Sequence, residues 1–373
     1  MWSYRNPVDV WFGQGSFAKL GELLGGRSYA LVTYGEPAFH KLGAELERKG
    51  GKPLLVVDDI APNPDISHLE QQTARFRDLS AAPEVIVALG GGSVIDSAKA
   101  FAAARGEFGV VDAYLKKRSG AGTLDPWPLI AVPTTAGTGS EVTCWGTVWD
   151  NANGLKYSLA HPGLYPRQAL VDPELMLGKP LALTVQTGLD ALSHSLESLW
   201  NRNANPVSMA HAVAAARGVL STLPALVGDL GNLQLRERMA RAATLAGFAF
   251  SNTKTAIAHS LSYPITLRYG VPHGIACSFT LPMIIRSVAD RGGICEEALR
   301  SIFGCEAQGA AERLETTLNK LGVATDHHAY GIELAEWRAL IEAAFAGERG
   351  QNFIGSREEL LAAAGMEAKA SAA

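Results

Sequence analysis

The first half of this chain switches repeatedly between strand-like and helix-like hydrophobic spacing, and no other property restricts its fold as much. SYALVTY is a short β run ending at Gly35. AELERKG reads as helix and KPLLVVDDI as strand; SHLEQQTARFRDL has helical spacing. EVIVALG is a buried strand, GSVIDSAKAFAAA a helix, and PLIAVPTT another buried strand. Strands alternating with helices predict a parallel sheet with crossover helices. From about Leu181 the pattern changes. MAHAVAAARGVLSTLPALV, LRERMARAATLAGFAFS, AAERLETTLNKLG and LAEWRALIEAAF place Ala and Leu at helical spacing. A chain of 373 residues accommodates two domains of about 150 residues each. The expectation is an α/β dinucleotide-binding domain with a parallel, Rossmann-like sheet over 1–178. An all-α domain over 179–373 follows it. The division falls near ALVDPELMLGKP, where Pro and Gly break the pattern. The small, polar tail MEAKASAA is expected to fray.

Composition removes several function classes. At 47% hydrophobic and 19% charged, the chain is an ordinary globular protein. A net charge of −4 gives no electrostatic footprint for nucleic acid. No apolar run reaches the ~18 residues expected of a spanning helix, so no membrane role is expected. The start, MWSYRNPVDVWFGQG, does not read as a signal peptide. Cys144, Cys277, Cys295 and Cys305 form no CxxC pair and read as reduced cytoplasmic thiols.

Two loops point to a nucleotide. EVIVALGGGSVIDSAKA sets Gly90, Gly91, Gly92 and Ser93 between a strand and a helix. Backbone N–H groups in such a turn can approach a pyrophosphate, and a helix N-terminus favours its charge. The pattern is not GxGxxG, and a tight βα turn with Ser93 as N-cap reads it equally well. AVPTTAGTGSEVT follows the next strand with Thr134, Thr135, Thr138 and Ser140. Their hydroxyls suit ribose, phosphate or a carboxamide, or else satisfy their own turns. Two such loops at successive strand ends form a crevice of the kind nucleotides occupy in open α/β sheets.

A third group points to a metal. Asp190 and His194 lie four apart in the helical run GLDALSHSLES, so they share a face. His259 and His273 bracket HSLSYPITLRYGVPH. Three imidazoles and one carboxylate suit a divalent ion, Fe²⁺ or Zn²⁺. Such an ion with open positions polarises a carbonyl. His40, His68, His161, His211, His327 and His328 have no comparable spacing. Adjacent His327 and His328 are expected to point apart on the surface. Cys277, four after His273, reads as a buried packing residue near the metal.

With both loops and the metal set, the chain resembles the iron-containing (group III) alcohol dehydrogenase family over nearly its whole length. The match runs from APNPDI, with Asn63, through GGGSVIDSAK, PTTAGTGSEVT, VDPEL and GLDALSHSLES to His273. The resemblance implies a dehydroquinate synthase-like two-domain plan with cofactor and metal in the cleft between domains, and a homodimer. It implies Asp190, His194, His259 and His273 as metal ligands. Gly91, Gly92 and Ser93 match the pyrophosphate loop, completed by Asp96 and Lys99. Thr134, Thr135, Thr138 and Ser140 match the ribose and nicotinamide loop. Lys156 matches a lysine that reaches the cofactor, and Phe250 an aromatic lining the substrate cleft.

Three departures shape the expected reaction. Many relatives carry a second histidine in HxxxH; here HSLSY places Tyr263 there, as a hydroxyl relay or a packing group. Where NAD-preferring relatives have an acid after the first strand, this chain has Val32-Thr33-Tyr34-Gly35, with Glu36 nearby. NADH and NADPH are therefore both admitted. Lys254 in SNTKTAIAH, Arg268 between the last two ligands, and Trp145 favour a substrate bearing an anion. The combination is similar to the phosphonoacetaldehyde reductase branch, which implies reduction of a small anionic aldehyde to its alcohol. Lys254 and Arg268 read equally as solvated cations paired with acids elsewhere. A general alcohol dehydrogenase remains the alternative reading. The ligand set argues against a sugar-phosphate cyclase, a maleylacetate reductase and a non-enzymatic nucleotide sensor.

Overall fold

The structure is a computed structural model that describes residues 1–117, 124–289 and 291–366. The tail expected to fray lies, from residue 367, outside the described residues. The chain divides into two compact units, Asn6–Leu177 and a second joining Met1–Arg5 to Gly178–Ala373.

The first unit carries strands β1 (Asp9–Phe12), β2 (Tyr29–Val32), β3 (Leu55–Val57) and β4 (Val85–Gly90). They are followed by β5 (Leu129–Pro133), β6 (Trp145–Asp150), β7 (Leu155–Ala160) and β8 (Gln168–Val171). Its helices are α1 (Leu20–Leu24), α2 (Pro37–Gly50), α3 (Ile66–Arg77), α4 (Gly92–Ala104) and α5 (Phe108–Lys117). Six strands form one sheet in the order β1-β8-β5-β4-β2-β3, parallel throughout. The period-two alternation of side chains divides the core. Ala30, Val32, Ile86 and Ala88 join one buried cluster; Leu31, Val85, Val87 and Leu89 join another. With both faces covered, β4 and β5 are apolar at nearly every position, as parallel strands must be.

The predicted strands and helices of this half are present. Two features escaped the pattern reading. ALV of ALVDPELMLGKP is not a break but β8, paired with β1 and β5. CWGTVWDNANGLKYSLA folds as the antiparallel hairpin β6–β7.

The second unit is helical, with α6 (Leu181–Glu197), α7 (Pro206–Gly228), α8 (Leu233–Thr253), α9 (Ile257–Tyr269), α10 (His273–Ser278) and α11 (Leu281–Ser287). It continues with α12 (Gly293–Phe303), α13 (Ala307–Lys320), α14 (Leu334–Ala344), α15 (Glu348–Gln351) and α16 (Arg357–Ala363). Helix α7 is the one described helix long and apolar enough to cross a membrane. It packs instead against α6 and α8, burying Ala212, Ala215, Ala216 and Val219. An Asn205–Ser208 capping box and Pro206 set its start. The first five residues attach to this unit. Tyr4 Oη donates to Phe248 O at 3.2 Å, and Arg5 N to Asn252 Oδ1 at 2.9 Å.

Candidate active site

The two polar loops start side by side. Gly90 at the end of β4 is in register with Pro133 at the end of β5, and Thr134 N donates to Gly90 O at 3.0 Å. The N-cap of α4 is Gly91, with no side-chain cap. Ser93 therefore does not cap the helix; it lies in the first turn, and its hydroxyl accepts the Asn63 N–H at 3.3 Å. An uncapped helix start of this kind suits an anion. Glycine is required sterically. A Cβ at Gly92 would lie 2.6 Å from Thr138 Cγ2, and one at Gly90 would lie 2.5 Å from Val94 Cγ2. The chain order reverses between β2 and β4, where open sheets bind ligands. Tyr34 follows β2 there. Its hydroxyl lies 3.4 Å from the place a Gly91 Cβ would occupy. Burial raises its phenol to about 12, against a hydrogen bond with Ser93, so it stays protonated.

Behind the loops stands a buried brace. Lys99 is fully enclosed, and its Nζ donates to Ser140 O and Trp145 O at 2.7 Å and to Ser140 Oγ at 2.8 Å. Asp96 accepts from Ser140 Oγ at 2.6 Å and from Thr147 N at 2.9 Å. Asp96 and Lys99 thus hold the Thr138–Ser140 loop against α4. Burial lowers the Lys99 amine to about 8, partly offset by Asp96. Burial also raises the neighbouring Glu141 carboxyl to about 7. Thr134 is buried, and its hydroxyl has no hydrogen-bond partner among the described residues. Thr135 and Thr138 are partly exposed. Lys156, on β7, holds its ammonium 5.1 Å from the Trp149 ring centre.

The second unit gathers the four expected ligands. Asp190 and His194 project from α6, His259 from the first turn of α9 and His273 from the first residue of α10. Asp190 Oδ1 lies 3.9 Å from His194 Nε2, 3.5 Å from His259 Nε2 and 3.9 Å from His273 Nε2. Burial pushes the Asp190 carboxyl up, but the imidazoles of His194, His273 and His259 overcome this and hold it far below the usual range. Asp190 Oδ1 and His259 Nε2 are enclosed yet make no hydrogen bond among the described residues. Buried polar atoms rarely go unsatisfied, and a carboxylate and imidazoles converging on one point fit a divalent cation. Cys277 is fully buried, as expected. Its Sγ lies 3.8 Å from His273 Nε2, which places it in the donor group with Asp190, His259 and His273.

The residue that spacing did not reveal is Glu197. It has no exposed side-chain surface, and its Oε2 lies 2.5 Å from His259 Nδ1. Its Oε1 accepts the His259 backbone N–H at 3.1 Å. A proton on Nδ1 leaves the Nε2 lone pair for a metal, so Glu197 selects the tautomer and the ring orientation. Burial pushes Glu197 up, and His259 with the backbone N–H groups of Ala256 and His259 brings it below the ordinary range. A carboxylate seven after Asp190, three after His194 and inside a buried helix was its available signal.

Aromatic rings wall the cluster. Phe250 stacks on His194 at 4.0 Å and 6°, so it supports that imidazole directly. Tyr263 stacks on His273 at 5.7 Å and 8°, and meets His259 edge-on at 6.5 Å. The two expected cations have acidic partners at exposed positions. Lys254 Nζ lies 2.5 Å from Glu348 Oε1, and Arg268 Nη1 lies 3.7 Å from Glu336 Oε1. His327 and His328 do not point apart. They sit on a 3₁₀ turn with ring centres 4.0 Å apart, because that tight turn departs from strand or α-helical side-chain geometry.

The family model described as iron-containing alcohol dehydrogenase matches residues 7–173, and its C-terminal counterpart matches 184–362. The chain is 32% identical to a 1,3-propanediol dehydrogenase from Klebsiella pneumoniae, over 92% of each chain. It is 28% identical to lactaldehyde reductase of Escherichia coli strain K12, over 90% of this chain and 91% of the relative. Among solved structures, sulfoacetaldehyde reductase from Bifidobacterium kashiwanohense in complex with NAD⁺ superposes with a TM-score of 0.89. That pair shares 29% identity over 99% of this chain and 100% of the other. Sequence, sheet topology and donor set agree: the chain belongs to the iron-containing alcohol dehydrogenase family, oxidoreductases that act on CH–OH groups.

Proposed function

We propose that this chain reduces a small anionic aldehyde, of the kind represented by phosphonoacetaldehyde, to its primary alcohol, 2-hydroxyethylphosphonate in that case. The reaction is metal-dependent and linked to NADH or NADPH. The observation that carries it is the convergence of Asp190, His194, His259 and His273, with Asp190 Oδ1 and His259 Nε2 buried and without a hydrogen bond among the described residues. The sulfoacetaldehyde reductase relative, whose substrate is a two-carbon anionic aldehyde, supports the substrate class. Fe²⁺ or Zn²⁺ suits the four ligands. Tyr34 in place of an acid after β2 leaves no carboxylate at that position to repel a 2′-phosphate, which is the basis for admitting NADPH.

When bound, the metal supplies Lewis acidity at the substrate carbonyl and the nicotinamide supplies hydride. Glu197 keeps the His259 proton on Nδ1. Gly91, Gly92 and Ser93 receive the pyrophosphate at the start of α4, and Asp96 braces the loop beside it. Thr134, Thr135, Thr138, Ser140 and Lys156 orient ribose and nicotinamide, lowering the entropy cost of reaction. The Tyr263 hydroxyl is a proton donor to the product alkoxide. The protein acts in the cytoplasm as a homodimer; the sheet edge β1, with Trp11 and Phe12 exposed, is a surface for pairing.

The test follows NAD(P)H absorbance with metal-loaded protein, phosphonoacetaldehyde and propionaldehyde. A strong preference for the phosphonate supports the reading. Equal or better use of propionaldehyde leaves a general alcohol dehydrogenase.

A further inference from the structure

We propose that Arg349, rather than Lys254 or Arg268, binds the anionic group of the substrate; this rests on the anionic-aldehyde reading above. Tyr263 lies flat against the ligand His273, with ring centres 5.7 Å apart. The guanidinium carbon of Arg349 lies 4.8 Å from the centre of the same Tyr263 ring. A cation therefore stands one aromatic ring away from a metal-ligating imidazole. A guanidinium on an aromatic face is held in place while its N–H edge stays available for a planar pair of hydrogen bonds.

The surroundings of Arg349 leave that edge uncommitted. Its Nε donates to Thr255 Oγ1 at 3.0 Å. Among the described residues no carboxylate pairs with it, and its terminal nitrogens donate to no acceptor. The adjacent acid, Glu348, is taken by Lys254 at 2.5 Å. Lys254 thus serves to neutralise the one carboxylate next to Arg349 in sequence.

The NTKT segment is built to do this. Lys254 has φ 63° and ψ 177°, a conformation nearly confined to glycine. Its carbonyl accepts from Asn201 Nδ2 at 3.1 Å and from Thr253 Oγ1 at 2.9 Å. Thr255 O accepts from Asn352 Nδ2 at 3.0 Å. These bonds pin a strained turn so that Lys254 reaches Glu348 and Thr255 aligns Arg349. The ligand chemistry is a tetrahedral oxyanion on a two-carbon aldehyde, phosphonate or sulfonate, accepting two N–H groups from one fork.

The experiment measures kcat/KM for phosphonoacetaldehyde, sulfoacetaldehyde and propionaldehyde with metal-loaded wild type, Arg349→Gln, Arg349→Lys and Lys254→Gln. Metal content and thermal melting confirm that each variant is folded. The expected result is an anionic-to-neutral ratio about tenfold or more lower in Arg349→Gln, carried mainly by KM. Arg349→Lys, which keeps the charge and loses the fork, falls between wild type and Arg349→Gln. The better of the two anionic substrates in wild type identifies the anion. A wild type without preference for either anion sinks the anionic-aldehyde reading, and this subsite with it. A wild-type preference that survives Arg349→Gln, or that is lost in Lys254→Gln instead, overturns the Arg349 assignment alone.

Discussion

The contact between Glu197 and His259 shows how one buried carboxylate governs a histidine of the proposed metal site without replacing it. Glu197 holds both the ring and the backbone N–H of His259, so that ring has little freedom to turn away. Glu197→Gln should lower metal affinity by roughly 10–100-fold. Equilibrium dialysis against Zn²⁺ checks it; unchanged affinity would leave Glu197 as a satisfied buried charge and nothing more. Asp190, His194, His259 and His273 were legible because helical spacing and residue type are local properties. Glu197 was not, because its role depends on a residue 62 positions away. The choice between an anion anchor and a paired cation at Lys254 was left open for the same reason: a cation's partner is chosen by the fold, here across 94 residues.

At the scale of elements, the grouping of His273 with Asp190 depends on how closely α10 lies on α6. Gly274 follows His273, and a Cβ there would sit 1.9 Å from Gln186 O on α6. Any side chain must push α10 away and carry His273 from Asp190. Gly274→Ala should therefore cost about 1–3 kcal/mol of stability and lose most bound metal. Metal analysis beside a urea melt tests this, and a variant that binds metal normally would refute the close-approach argument. The helices α6, α7, α8, α13 and α14 and strands β2 to β5 could be read from their hydrophobic patterns. Strands β1 and β8 could not, although β2 and β3 are no longer: β1 is exposed at three of its four positions and so carries no buried run, and β8 is followed at once by Asp172-Pro173. The β6–β7 hairpin has mixed burial and a polar turn, so its strand character comes from pairing.

For the whole molecule, the buried Lys99–Glu141 neighbourhood makes stability depend on pH. Glu141 is raised to about 7 from 4.5, so the folded chain holds more protons than the unfolded one in that window, and stability falls as pH rises through it. Lys99 is lowered to about 8 from 10.5, so above 8 the unfolded chain holds more protons, and stability rises toward 10.5. A shallow minimum between about 7 and 8 follows. Urea midpoints of wild type and Lys99→Met across this range test it. The rise above pH 8 should be present in wild type and absent in the variant; parallel curves would assign the pH dependence elsewhere.

By itself the sequence determined the two structural classes, and it brought forward the loop after β4 and the four residues Asp190, His194, His259 and His273 that the fold gathers. Each of these rests on periodicity, glycine sterics or donor chemistry within short stretches of chain. Only the tertiary structure decided that Glu197 orients His259 and that Asp96 and Lys99 brace the Ser140 loop. It alone placed Arg349 beside Tyr263 while Lys254 answers Glu348. The physical reason is that burial and charge pairing are properties of which distant segments meet, and a side chain's type does not record its partner.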